Sequence, residues 1–154
     1  GANVLIQMDS DSSHDPAVIP LLLNAIENGA DMAIGSRYVP GGFIPGEWPV
    51  IRVVNSRVAR YIARNVGGIT KEVLDPTAGF RAIRSDVLTK LNFKATGASG
   101  YVIQVKLVDS ASRAGFIIKE IPISFADRQF GVSKIRPKDI RQFFWFCVKL
   151  RAQR

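Results

Sequence analysis

Residues 3–16, Asn-Val-Leu-Ile-Gln-Met-Asp-Ser-Asp-Ser-Ser-His-Asp-Pro, run from an apolar stretch into a cluster of carboxylates and then into a helix start. Val4, Leu5, Ile6 and Met8 lack the polar–apolar alternation of a half-solvated strand, so the stretch is expected to be a strand buried on both faces. Asp9 and Asp11 then fall where that strand ends. Open α/β sheets bind substrates in the crevice beyond the carboxyl ends of their strands. Two carboxylates one residue apart are hard oxygen ligands there, and a divalent cation bridging a diphosphate is their natural occupant. The plainer reading of the same residues makes Asp9 and Asp15 turn and N-cap residues and Asp11 a solvated loop acid.

Working outward, Asp15 and Pro16 are an N-cap and a first helical residue, and Asn28-Gly29 is a C-terminal stop. Val18, Leu21, Leu22, Ala25 and Ile26 supply an apolar face between them. Residues 31–36 read as the next strand, so strand, helix and strand form a βαβ unit with a parallel sheet. Arg37 closes that strand at the same carboxyl edge as the aspartates. Residues 38–49 hold three Pro and three Gly and form a loop above this edge. The helix expected over 50–65 turns Val53, Val54, Val58, Tyr61 and Ile62 inward. Of its arginines, Arg57, Arg60 and Arg64 make a solvated face, and Arg52, nearest the glycine loop, is the exception.

Asp75-Pro76-Thr77-Ala78-Gly79-Phe80-Arg81 is a turn into a short strand over 80–83, followed by a short helix over 84–91. A loop over 96–100 precedes a helix over 101–114, and Gly115 ends it. A strand over 116–123 contains Pro122, which marks it as an edge. A second polar loop covers 124–136, and Pro137 starts a last helix to about Arg151. That helix is apolar on more than one face between Phe143 and Val148. Its basic flanks and aromatic residues fit either a helix lying in a membrane interface or one that packs on the core.

At 154 residues the chain is one domain, 1–154, large enough to bury a core. Its single cysteine, Cys147, excludes an internal disulfide and makes a cytoplasmic setting the default. No apolar run approaches the ~20 residues of a membrane-spanning helix. The net charge is +8, and the segment from Arg128 onward holds eight basic residues against Asp139 alone. Such a balance suits a phosphate-bearing substrate, an anionic membrane or a nucleic acid. No helix-turn-helix, zinc-finger or RNA-recognition pattern supports the last of these.

Four blocks taken together carry a resemblance: Met-Asp-Ser-Asp-Ser-Ser-His-Asp-Pro (8–16), Gly-Ser-Arg-Tyr-Val-Pro-Gly-Gly (35–42), Asp-Pro-Thr-Ala-Gly-Phe-Arg-Ala (75–82) and Asp-Arg-Gln-Phe-Gly-Val-Ser-Lys (127–134). In this order they resemble the dolichol-phosphate (polyprenyl-phosphate) mannose synthases, family 2 glycosyltransferases of GT-A type. The resemblance implies an α/β, partial GT-A, Rossmann-like fold with a mixed, mainly parallel sheet flanked by helices, whose first nucleotide-binding strands are expected before Gly1. It also implies an inverting, Mg²⁺- or Mn²⁺-dependent transfer of mannose from GDP-mannose to a polyprenyl phosphate at the cytoplasmic face of a membrane. By match to the motifs, Asp9 and Asp11 would hold the metal and the donor diphosphate, with Ser13 as a further polar ligand. Arg37, Arg52 and Ser56 would meet the acceptor phosphate, and Arg128 and Lys134 would close over the phosphates. Catalysis would rest on Asp11, Arg37 and Arg128.

Two departures stand out. Ser99 precedes Gly100-Tyr101 where relatives carry an acid, and Gln104-Val105-Lys106 reverses the charge of a Gln-x-acid pattern. Arg81 is either an anchor for the turn after Asp75 or a phosphate contact, and His14 is expected to be a loop hydrogen-bonder. The competing functions are a UDP-hexose-dependent polyprenyl-phosphate glycosyltransferase and a non-catalytic basic module binding an anionic membrane or nucleic acid.

Overall fold

A computed structural model of the chain describes residues 1–44, 49–91, 102–125 and 137–153. Strand β1 (Val4–Gln7) leads through the carboxylate turn and a short 3₁₀ turn (Pro16–Val18) into α1 (Ile19–Glu27) and β2 (Met32–Ser36). Asp15 caps this entry by accepting the Ala17 N–H at 2.9 Å, and Gly29, at φ +90°, supplies the left-handed turn that ends it. Helix α2 (Val50–Tyr61) continues as a π-helical turn (Ile62–Val66). Then come β3 (Arg81–Arg84), α3 (Ser85–Lys90), α4 (Val102–Arg113), β4 (Ile118–Pro122) and α5 (Pro137–Ala152).

The sheet order is β1-β3-β2-β4, with β3 antiparallel to both β1 and β2, and β2 parallel to β4. Strands β1, β2 and β4 therefore run in one direction, as a βαβ reading requires. The expected β1–β2 ladder is nevertheless absent, because β3 returns between them and makes two of the three ladders antiparallel. The sheet is mixed, as expected, and among the described residues its antiparallel ladders outnumber the parallel one. One consequence governs the site: an antiparallel strand brings its amino end to the rim where its neighbours bring their carboxyl ends. The turn before β3 thus meets the turns after β1, β2 and β4.

Two further expectations are corrected. Strand β1 is not buried on both faces: Leu5 is 42% exposed, and Ile6 and Met8 are similarly open, because β1 is an edge with β3 as its only partner among the described residues. Helix α2 is rotated from the expected orientation, with Val54, Val58 and Tyr61 outside and Arg52, Arg60 and Arg64 half-buried. The guanidiniums turn inward because they find acceptors there. Arg60 Nε donates to the Leu74 carbonyl at 2.7 Å, and Arg64 Nη2 donates to that of Lys71 at 3.0 Å. Pro122 does lie on β4, an edge strand among the described residues.

The core has two parts. Leu22, Ala25 and Ile26 of α1 pack with Ala33, Phe80, Ala82, Ile123 and Phe125 on one face. On the other, Met32, Ile34 and Ile83 meet α3, α4, the π-helical turn and the inner side of α5, formed by Phe143, Cys147 and Leu150. Gly67 lets the chain leave the π-helical turn beside α5, since a Cβ there would lie only 2.7 Å from the Ala63 carbonyl oxygen. Truncating a side chain packed on all sides leaves a cavity, and truncating an exposed one does not. Leu22→Ala is expected to cost about 2–5 kcal/mol. The neighbouring Leu21, 53% exposed, should tolerate the same change within about 0.5 kcal/mol. Denaturant unfolding of the two variants checks the packing of α1.

Candidate active site

The rim is built from four turns, and its centre is an ion pair. Arg37, directly after β2, donates from Nε to Asp75 Oδ2 at 2.7 Å and from Nη2 to Oδ1 at 2.8 Å, while its backbone N–H reaches Oδ2 at 3.2 Å. Thr77 donates its hydroxyl to Asp75 Oδ1 at 3.1 Å and accepts from Arg37 Nη2 at 3.3 Å. The Asp75 side chain is fully buried and that of Arg37 nearly so. Burial alone would push the Asp75 carboxyl up, but the hydrogen bonds and charge of Arg37 outweigh it and hold the group below its ordinary value. Burial likewise opposes the charge on Arg37, and Asp75 more than offsets that, raising its pKa.

The turn carrying Asp75 is held from two further directions. Glu120 of β4 accepts the N–H groups of Leu74 at 2.7 Å and Asp75 at 2.8 Å. Arg81, completely buried, donates to the carbonyls of Ala78, Pro76 and Gln104 at 2.8, 2.9 and 3.0 Å. Burial brings its pKa down to about 10 against the opposing charges of Asp75 and Glu120, so it stays cationic at pH 7. Between the two readings left open for Arg81, the geometry selects the anchor.

The carboxylate turn lies alongside. Asp11 accepts from both the backbone N–H and the hydroxyl of Ser13, and Ser12 between them adopts a left-handed φ of 62°. Asp9 is exposed, and its carboxylate sits against Gly79, where a Cβ would lie 3.4 Å from Oδ1. The Asp9 N–H donates to His14 Nδ1 at 3.0 Å, which puts the imidazole proton on Nε2. Desolvation lowers the His14 pKa; Asp9 and Asp11 pull it upward and Arg37 pulls it down further. The buried ring thus stands among all three charges, neutral, stacked on Phe80 at 4.8 Å and edge-on to Phe125 at 4.9 Å. His14 is the loop hydrogen-bonder expected of it.

Helix α2 completes the rim. Arg52 lies over the Phe125 ring at 5.8 Å and Arg37 over the same ring at 5.4 Å. Ser56 Oγ and Tyr38 Oη are hydrogen-bonded at 2.9 Å, and Arg60 covers the Tyr38 ring at 4.4 Å. Arg37, Arg52, Ser56, Asp9, Asp11 and Ser13 therefore occur on the elements that converge at one rim. Arg128, Lys134 and Ser99 lie outside the described residues. Sequence reasoning named Asp75 only as a turn residue and missed Glu120, Tyr38 and Phe125. Asp75 carries a signal in its Asp-Pro-Thr turn, whereas Glu120 sits in an ordinary strand pattern and carries none.

Residues 1–91 match the model of the family described as Glycosyl transferase family 2. The chain belongs to that family. It is 44% identical over 142 residues to the polyprenol monophosphomannose synthase of Mycolicibacterium smegmatis, covering 92% of this chain and 52% of that protein. It is 40% identical over 135 residues to the undecaprenyl-phosphate mannosyltransferase of Micrococcus luteus, covering 88% and 54%. Against the dolichol-phosphate mannosyltransferase of Pyrococcus furiosus it is 34% identical over 148 residues, covering 96% and 40%. The chain thus spans about half the length of the curated relatives it matches. Its fold is similar to that of the crystal structure of glucosyl-3-phosphoglycerate synthase from Mycobacterium tuberculosis in complex with Mn²⁺, UDP-glucose and phosphoglyceric acid. The TM-score is 0.66 at 20% identity, covering 99% of this chain and 50% of that one. The mixed sheet is thereby the GT-A glycosyltransferase fold.

Removing one member of a buried ion pair strands the other, so Asp75→Asn in this chain is expected to cost about 3–5 kcal/mol. The pair's contribution is fully present above the unfolded value of 3.8 and is lost as the pH falls through the lower folded value. Acid titration of unfolding free energy should therefore show a steeper loss below pH 3.8 in the wild type than in Asp75→Asn.

Proposed function

We propose that this glycosyltransferase moves mannose from GDP-mannose to a polyprenyl phosphate with inversion at the anomeric carbon, assisted by Mg²⁺ or Mn²⁺. The observation that carries the reading is the rim itself: the acids of one turn lie beside the neutral His14, and the arginines of two other elements meet the Phe125 ring that His14 also touches. Such a site suits two phosphate groups brought side by side. The names of the three relatives share mannosyl transfer and a polyprenyl phosphate or polyprenol monophosphate, and this supports both halves of the assignment.

The acceptor phosphate is already anionic at pH 7, so no strong general base is required, consistent with a neutral His14 whose Nδ1 is occupied. One acceptor oxygen forms the bond to the anomeric carbon as the bond from that carbon to the donor diphosphate breaks, and GDP leaves. Arg37 and Arg52 orient the attacking phosphate. Because the Nε and Nη2 side of Arg37 is engaged by Asp75, Nη1 is the part left to meet it. Arg128 and Lys134 close over the phosphates, and Ser56, held by Tyr38, lines the acceptor side.

Asp9 and Asp11 suit a divalent ion whose remaining positions go to phosphate oxygens and water. Among the described residues no group of three His, Cys, Asp or Glu forms an all-protein cage, and Mg²⁺ and Mn²⁺ sites of this kind use one or two carboxylates with substrate phosphates. When bound there, the ion neutralises charge on the leaving diphosphate. Asp9 presents an exposed carboxylate, and Ser13 orients that of Asp11.

The full-length protein, given GDP-mannose, Mn²⁺ and a polyprenyl phosphate, is expected to form the mannosyl phospholipid. Asp11→Ala should lower the rate on the order of 10²-fold or more. GDP should compete for the donor site better than UDP. Absence of transfer with every nucleotide sugar tried would refute the assignment.

The acceptor is a lipid, and the protein has faces suited to a membrane surface. Among the described residues no helix is long and apolar enough to cross a membrane. Helix α5 buries Phe143, Cys147 and Leu150 against the core, but Ile140, Phe144 and Trp145 lie outward, with Lys138, Arg141, Lys149 and Arg151 exposed around them. Helix α2 exposes Val50, Ile51, Val54, Val58 and Tyr61 along one side. Apolar and aromatic side chains set among cations are the makeup of an interfacial helix on anionic lipid. Co-sedimentation with anionic vesicles should weaken when Lys138, Arg141 and Lys149 are changed to Gln, by about 1 kcal/mol for each charge. It should be insensitive to those changes if α5 faces water.

A further inference from the structure

The ring of Phe125 is where the separate parts of the rim touch. It follows β4 and is clipped to the proline-glycine loop: its N–H donates to the Phe43 carbonyl at 3.2 Å, and the Phe43 N–H donates to that of Ile123 at 3.0 Å. The side chain is nearly fully buried. Around it stand the guanidinium of Arg37 at 5.4 Å, that of Arg52 at 5.8 Å and the edge of the His14 imidazole at 4.9 Å. These come from the end of β2, the start of α2 and the carboxylate turn, three elements that share no ladder with one another here.

The nature of the contact decides its use. A carboxylate grips a guanidinium by its N–H edge and cancels its charge, as Asp75 does to Arg37. An aromatic face holds a guanidinium by attraction to the ring quadrupole, leaving the in-plane N–H groups directed outward and the charge uncancelled. A ring that meets both arginines therefore draws Arg52 toward the Arg37 that Asp75 already holds, and the ring itself adds no counter-charge to either. An aliphatic side chain of similar size fills the space but supplies no such attraction.

We propose that Phe125 is a positioning residue for the acceptor: its ring sets the placement of Arg52 beside Arg37, which Asp75 holds, so that both address one phosphate group. This rests on the reading of those arginines as acceptor contacts. It assigns the ring no contact with the sugar, the nucleotide or the reacting atoms. Its influence should consequently appear in the handling of the acceptor and not of the donor.

The test is steady-state kinetics of the full-length protein with each substrate varied in turn. Phe125→Leu is expected to raise KM for the polyprenyl phosphate about tenfold, from the loss of two cation–ring contacts, while KM for the nucleotide sugar stays within about twofold. Phe125→Met, which refills the space with a flexible apolar chain, should give the same split, and Phe125→Tyr should restore the wild-type acceptor KM. A purely structural role would instead reduce the active fraction, lowering kcat without this split. An unchanged acceptor KM in both Leu and Met variants, or an equal rise for donor and acceptor, overturns the proposal. If the wild type transfers to no polyprenyl phosphate, the underlying assignment fails and this inference falls with it; if it transfers and the split is missing, only the role of Phe125 fails.

Discussion

Arg37 and Asp75 can be buried against each other only because each is held from behind. A guanidinium and a carboxylate withdrawn from water lose far more hydration than a loose contact returns, so the geometry must be right and every remaining polar atom must find a partner. Both conditions are met. Two fork bonds join the pair, Thr77 bridges it, and Glu120 takes the backbone donors of Leu74 and Asp75. Arg81 binds the carbonyls on the far side of the same turn. A turn pinned in this manner is a rigid floor, and the carboxylate turn and α2 are arranged about it.

That floor reaches the rim through the direction of a single strand. With β3 antiparallel to both neighbours, the segment before it lies beside the segments after β1, β2 and β4. Had β3 run with the others, Asp75 would lie at the opposite edge from Arg37 and the pair could not form. The topology and the ion pair thus depend on each other, one bringing the groups together and the other stabilising the turn that the strand order demands. The central β2, with all five residues buried, is the common neighbour that keeps both in place.

Positive charge is handled in two ways at this rim. Arg37 is compensated by a buried acid along one edge, and both it and Arg52 lie on an aromatic face. The first contact gives permanence of position, and the second holds a guanidinium without itself supplying a counter-charge. Transfer between two phosphate-bearing substrates, as proposed, needs both properties, because a single mobile lysine would supply charge without orientation.

The amino-acid sequence by itself determined the local events. An apolar run ends at Asp9, a helix begins at Asp15-Pro16 and stops at Asn28-Gly29, Pro122 marks an edge strand, and four motif blocks identify the family. Each depends on residues only a few positions apart, where dihedral preference and capping act. The tertiary structure alone decided that β3 lies between β1 and β2, that β1 is an edge among the described residues, that arginines of α2 turn inward, and that Arg37 belongs to Asp75, Thr77 and Phe125. Periodicity states that a face will be buried and not what will bury it. The partners of Arg37 are 38, 40 and 88 positions away in the chain, and only packing, which weighs every such meeting against desolvation, selects them.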